Sequence, residues 1–288
     1  ASGWTARRWA VLLGAYAAGL GGMILVKGVF ISPDRYFLIL LVPALALGVA
    51  RGYVRDFLPF VALVLLYEEA RGVAHWIHVQ LGYTPWYRAP IDFDRVVSLG
   101  HMPPEVLQRW LWTGHLRWYD QILALLDRAH FFVPPTLLFL IWLENRALFY
   151  RCAATIVLVS FAAALCFLLF PVAPPWRAAE VGLLHPLVKI GSVQASSSPV
   201  STDRSLIANL LLSNPYAAMP SLHTAYSLLT AVFAWRWRRR VGYVFLAYPA
   251  LMWLTIVYFA DHYIADIAAG IVFAVTGWLL VGRALRPG

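Results

Sequence analysis

Eight apolar runs, at 10–30, 36–50, 56–79, 130–147, 149–171, 219–235, 241–260 and 262–283, decide what this chain can become. At a rise of about 1.5 Å per residue, most of them are long enough to cross about 30 Å of hydrocarbon as helices. The second and sixth are short and draw on their flanks. A chain that is 61% hydrophobic and 13% charged is not a soluble domain. The sequence therefore predicts an all-α fold, a polytopic integral membrane helical bundle of about eight transmembrane helices. The first run is too long for a signal peptide and has no small-residue cleavage site. Cys152 and Cys166 lie fourteen residues apart within one run, too far to bridge each other on a helix.

The cations orient these runs. With the N-terminus in the cytoplasm, the cytoplasmic ends carry Arg7, Arg8, Arg51, Arg55, Arg146, Arg151, Arg236, Arg238, Arg239, Arg240, Arg283 and Arg286. These fall in short loops, which weigh most in setting topology. Both termini are then cytoplasmic, in a multi-pass protein of the cell membrane. The net charge of +9 reads as anchors facing anionic lipid. No basic-aromatic groove suggests nucleic acid as a partner.

In this orientation two histidine-bearing stretches face the extracytoplasmic side: Tyr216-Ala-Ala-Met-Pro-Ser-Leu-His223 and His262-Tyr-Ile-Ala-Asp266. His262 and Asp266 are four apart, so on a helix they share a face. A carboxylate beneath an imidazole fixes its tautomer and stabilises its cation. Two histidines, one so oriented, suit phosphoryl transfer: one attacks phosphorus and the other protonates the leaving oxygen.

These stretches resemble the type 2 phosphatidic acid phosphatase superfamily. Pro220-Ser221-Leu222-His223 is similar to its second motif and His262 to Asp266 to the end of its third. Phe170-Pro-Val-Ala-Pro-Pro-Trp-Arg177 resembles the degenerate first motif of the branch that holds inositol phosphorylceramide synthases. The likeness runs from about Arg55 to about Gly282. It implies a six-helix phosphatase-like core, with two accessory helices in 1–55 and a catalytic membrane core in 56–284 carrying outer loops 82–129 and 178–218. By the resemblance, His262 is the nucleophile, His223 the general acid/base and Asp266 the residue that orients His262. No metal and no cofactor take part. The chain departs from the family in two places. The third motif usually has Ser-Arg about six residues before its histidine, where this chain has Thr255-Ile256, and the lysine of the first motif is not evident.

The phosphate charge must then be met elsewhere. Arg177 matches the first motif. Glu68, Arg71, His75 and His78 form one helical stripe, read either as a structural ion pair with structural histidines or as a wall of the site with Arg71 on phosphate. Lys189 and Arg204 lie in the second outer loop, which also holds His185 and Asp203 and is long enough to have a task in head-group recognition. Ser221 stands at a helix N-terminus, a natural anion site. Tyr67 is a candidate for contact with a sugar or inositol. In the first outer loop, Met102 to Trp112 reads as a short helix with an apolar face of Val106, Leu107, Trp110 and Leu111, either packed down or acting as a lid. Pro134 and Pro135 fall in the first turns of the fourth span.

The expected function is transfer of a phospho-head group, possibly phosphoinositol by the branch resemblance, from a membrane phospholipid to a lipid or alcohol acceptor through a phosphohistidine. Two rivals stand beside it: a lipid phosphate or prenyl diphosphate phosphatase, and a non-enzymatic lipid-binding protein.

Overall fold

The computed structural model describes residues 6–27, 33–197 and 214–285. All eight predicted runs become helices. They are α1 (Ala6–Lys27), α2 (Pro33–Ala46), α3 (Ala50–Gln80), α6 (Trp118–Glu144), α7 (Arg146–Leu169), α10 (Leu222–Trp237), the pair α11 (Arg239–Phe245) and α12 (Ala247–Tyr258), and α13 (Ile264–Ala284). Short helices α4 (Arg88–Val97), α5 (Pro103–Leu111), α8 (Pro175–Glu180) and α9 (Ile190–Ser197) cover one end. Among the described residues, four stretches are long and apolar enough to cross a membrane unaided: α6, α7, Arg239–Tyr258 and α13. The seventh run breaks because Pro249 has no N–H to give to the carbonyl four residues back, in the last turn of α11.

The fourth run needs correction. Its helix starts at Trp118, so Pro134 and Pro135 lie in mid-helix, and residues 118–129 leave the outer loop for α6. The run seemed to start at His130 because Asp120, Gln121, Asp127 and Arg128 interrupt its apolar composition. Those groups do not end the helix. Asp120 caps it, accepting from the Arg117 backbone N–H at 2.7 Å and from the Tyr258 hydroxyl at 2.7 Å.

The helix expected at 102–112 is α5, with both prolines in its first turn where a missing N–H is harmless. Its buried face differs from the one predicted. Pro104 and Gln108 are buried, while Trp110 is 75% exposed. Gln108 donates to the carbonyls of Val188 and Tyr258 at 2.7 and 3.0 Å and accepts from Val188 N–H at 2.9 Å. A polar side chain thus clamps the helix to α12.

The core sits around α10, which packs against α6, α7, α12 and α13. Gly270 permits a close approach of backbone to backbone: a Cβ there would stand 2.5 Å from the Ser221 carbonyl oxygen, so α13 lies directly on the start of α10. At the other end of the bundle an aromatic cluster of Tyr53, Phe57, Phe139, Trp142 and Phe149 is fully buried. Phe57 and Phe149 have ring centroids 4.8 Å apart. Beside it the Asp56 carboxylate accepts from Arg55 at 2.7 Å, Arg146 at 2.7 Å and the Trp142 indole at 2.8 Å.

Candidate active site

Backbone hydrogen bonds tie together the three segments singled out in the sequence. Trp176 N–H donates to Ala260 O at 3.1 Å, Ala218 N–H to Val172 O at 3.2 Å, and Ser221 N–H to Asp266 O at 3.1 Å. Each bond joins a different pair of segments, so they close a triangle at one end of the bundle.

His223 occupies the first turn of α10. Ser221 caps that helix, its hydroxyl accepting from Thr224 N–H at 3.3 Å. Ser221 is fully buried. Its side chain is spent on starting the helix that carries His223. His262 lies in the link to α13, and Asp266 in the first turn of that helix. Asp266 Oδ2 accepts from Tyr263 N–H at 2.9 Å and contacts His262 Nδ1 at 3.2 Å. The carboxylate is completely buried and the imidazole nearly so. With Nδ1–H given to Asp266, Nε2 of His262 is left with a lone pair. That nitrogen meets His223 Nδ1 at 3.3 Å.

Three partners escaped the sequence reading. Asp94 on α4 accepts from Ile264 and Ala265 N–H at 3.0 and 2.9 Å, capping the helix that bears Asp266. Burial pushes this carboxyl up to about 6. Asp127 on α6 stands 3.6 Å from His223 Nε2. His130, one turn on, has its ring centroid 4.5 Å from that of His223 and stacks on Tyr226 at 5.2 Å. The signal for this pair was present: a carboxylate and an imidazole three apart share a helix face. Asp94 gave no local signal, since its partners lie 170 residues away.

The cationic candidates separate. Arg71 lies close enough to His223, Tyr67 and Tyr226 for its charge to act on all three. It pairs with Glu68 at 2.7 Å, and its Nε is buried with no hydrogen-bond partner. Further along the stripe His75 packs on Tyr216 with centroids 5.6 Å apart, and Asn214 donates to the Arg71 carbonyl at 3.2 Å. His78 contacts the Leu168 carbonyl at 2.8 Å. Tyr67 is buried in a cluster reaching Ala217 and Leu222. Arg177 instead pairs with Glu180 at 2.5 Å beside Tyr216, and this pairing raises its already high pKa. Lys189 sets its ammonium 4.2 Å from the centre of the Trp176 ring, within electrostatic reach of Asp261. Burial pushes the Asp261 carboxyl up, against the pull of His262 and Lys189. Arg204 and Asp203 lie outside the described residues.

A helical membrane bundle thus holds two histidines in contact at one end, one of them backed by a carboxylate. The chain belongs to the PAP2 superfamily, which residues 91–280 match. Over 160 residues it is 31% identical to the phosphoinositol dihydroceramide synthase of Bacteroides thetaiotaomicron, a match covering 51% of this chain and 51% of that protein. The chain thus aligns with about half the length of that relative. No solved structure matches it. The branch read from the sequence is the branch to which this relative points.

Proposed function

We propose that the chain transfers a phospho-head group, phosphoinositol being the first candidate, from a membrane phospholipid to a lipid or alcohol acceptor at the extracytoplasmic face. The observation that carries this is the orientation of His262. Its Nδ1 is committed to Asp266, and its free Nε2 faces the second histidine.

In the first step the Nε2 lone pair attacks phosphorus. The bond to the glyceride oxygen breaks as His223 delivers a proton to that oxygen, giving diacylglycerol and a phosphohistidine. In the second, the acceptor hydroxyl loses its proton to His223 and its oxygen takes the phosphoryl group, freeing His262. The phosphoryl group enters where the two imidazoles now touch. Arg71 supplies the cation for its equatorial oxygens, in the role left vacant by the missing third-motif arginine. Ser221 starts the helix whose first turn carries His223, and Tyr67 and Lys189 border the space. Arg177 acts at the rim, and Arg204 is assigned to the head group. The catalytic unit is 56–284, and helices in 1–55 are accessory.

The name of the relative supports transfer over hydrolysis. The test offers phosphatidylinositol, phosphatidic acid and undecaprenyl diphosphate to the purified protein, with and without EDTA. Free phosphate and new phospholipid are followed together. A new head-group-bearing lipid with matching diacylglycerol is the expected result. Free phosphate alone would make the chain a phosphatase, and loss of activity with EDTA would overturn the metal-free chemistry.

A further inference from the structure

Asp127 takes no part in the chemistry above, yet its carboxylate touches the acid-base histidine on the side away from the nucleophile. Oδ1 lies 3.6 Å from His223 Nε2, and both side chains are about a quarter exposed. At that distance the contact is one of charge rather than a closed hydrogen bond. The protons of the site can be followed along the line from Asp266 to Asp127. Asp266 accepts a backbone N–H and faces His262 Nδ1, so Nδ1 carries hydrogen and His262 Nε2 does not. His223 Nδ1 faces that lone pair and so carries hydrogen too. Its Nε2 then faces a carboxylate. Two acceptors cannot face each other without repulsion, so one proton lies between them, on nitrogen or on oxygen.

We propose that Asp127 and His223 form one acid-base unit that stores a single transferable proton, with Asp127 as the positioning residue that holds it at the site. This rests on the roles given to His223 and His262 above. The other groups around His223 work against storage. Arg71 from α3 brings positive charge. His130 from α6 and His262 from the link before α13 are further proton acceptors. Tyr226, on the same helix, stacks with His130 and is tied to Ser160. Asp261 acts on Asp127 rather than holding His223. Among the described residues Asp127 is the carboxylate in contact with His223. Without it, a neutral His223 has no acidic proton for the glyceride oxygen. With it, the proton shared with Asp127 holds Nε2 while the Nδ1 proton passes to that oxygen as the P–O bond breaks, and the acceptor hydroxyl later restores the Nδ1 proton as the new P–O bond forms. The unit ends each cycle as it began.

The test compares two donors in the full-length protein in detergent. From phosphatidylinositol the diacylglycerol leaves as an alkoxide and needs a proton. From a nitrophenyl phosphodiester the nitrophenol leaves as a stable phenolate and does not, so its first-turnover release reads the attack step alone. Asp127→Asn keeps the shape but cannot hold the proton. We expect it to slow turnover of phosphatidylinositol about 100-fold, within the usual range for a lost general acid, with KM unchanged. First-turnover nitrophenolate release should fall less than about threefold. Asp127→Glu should stay within about fivefold of wild type on both donors. Equal losses on both donors in the Asn variant, or a Glu variant as slow as the Asn variant, would show a merely structural residue. The Glu arm also serves if the Asn variant fails to fold. His262→Ala separates this idea from its parent: dead on both donors, it upholds the nucleophile whatever Asp127 does. A His262→Ala protein as fast as wild type, or a wild type silent on both donors, removes the parent reading and this one with it.

Discussion

The bundle has a carboxylate cluster at each end, and the two are built differently. At one end Asp56 is surrounded: two guanidinium groups and an indole N–H lie within 2.7 to 2.8 Å of it. At the other end the line Asp127, His223, His262, Asp266 is open, with side-chain contacts of 3.6, 3.3 and 3.2 Å. Nearby, Arg71 Nε and Asp266 Oδ1 are buried with no hydrogen-bond partner. A satisfied cluster stabilises a fold, since a buried charge without its partners is costly. A cluster with spare donors and longer contacts stabilises less, and its groups remain available to a charge that arrives later. Composition alone would not tell these ends apart.

The sharpest way to break this comparison is to delete one group at each end. His262→Ala should abolish head-group transfer, by about a thousandfold or more, with the thermal midpoint in detergent almost unmoved. Asp56→Ala should do the reverse. Removing a carboxylate that is 2% exposed strands Arg146 and the Trp142 indole. Because Arg146 is 43% exposed and can turn to water, the loss is about 1–2 kcal/mol, visible as a lowered midpoint while the folded fraction keeps its kcat. An Asp56 variant that is stable but inactive would dissolve the distinction. A smaller effect is expected at Arg71, whose charge reaches the site but whose pairing with Glu68 is partly exposed. Arg71→Gln should lower kcat/KM about 30-fold, read from initial rates over a donor titration. An unchanged rate would leave Arg71 a structural ion pair.

The smallest effect concerns Asp94, where the open end is braced from outside. Its carboxyl is raised from its ordinary 3.8 to about 6 by burial. The fold therefore binds this proton more tightly than the unfolded chain does. The resulting stability is full below about 3.8 and is lost as pH rises through about 6. Asp94→Asn should flatten the pH dependence of the thermal midpoint across that window. A wild-type midpoint that instead rises with pH there, with a slope the substitution leaves intact, would place the titration elsewhere.

What the sequence yielded follows from range. His262 and Asp266 are only four apart, so a helix period points to the pair even though His262 stands in the link just before α13 and only Asp266 lies in its first turn. Arg71 was legible for the same reason, as part of a stripe in an apolar run. Asp127 and His130 share a turn too, but they fell at the edge of a hydropathy window. Charged residues that face a polar site look like loop when only apolarity is counted, so α6 lost its first three turns in the reading. Asp94 was beyond reach: a carboxylate capping a helix 170 positions on leaves no periodic trace. The inward-facing Gln108 in place of Trp110 has a related cause. On α5 the buried face was set by two backbone carbonyls needing a donor rather than by apolarity.

The backbone triangle at the site has a consequence for how such a protein can vary. Its three bonds join N–H to C=O, groups that every residue but proline possesses in full. The scaffold is thus written in an alphabet indifferent to side chains. A lysine can be absent from one corner and an arginine from another, and the two histidines are still delivered to the same place. On the proposed function, phosphate recognition can then sit on a neighbouring helix such as α3 without the nucleophile moving. Attack and recognition would rest on separate parts of the scaffold, leaving room for the head group to change while the proposed reaction stays the same.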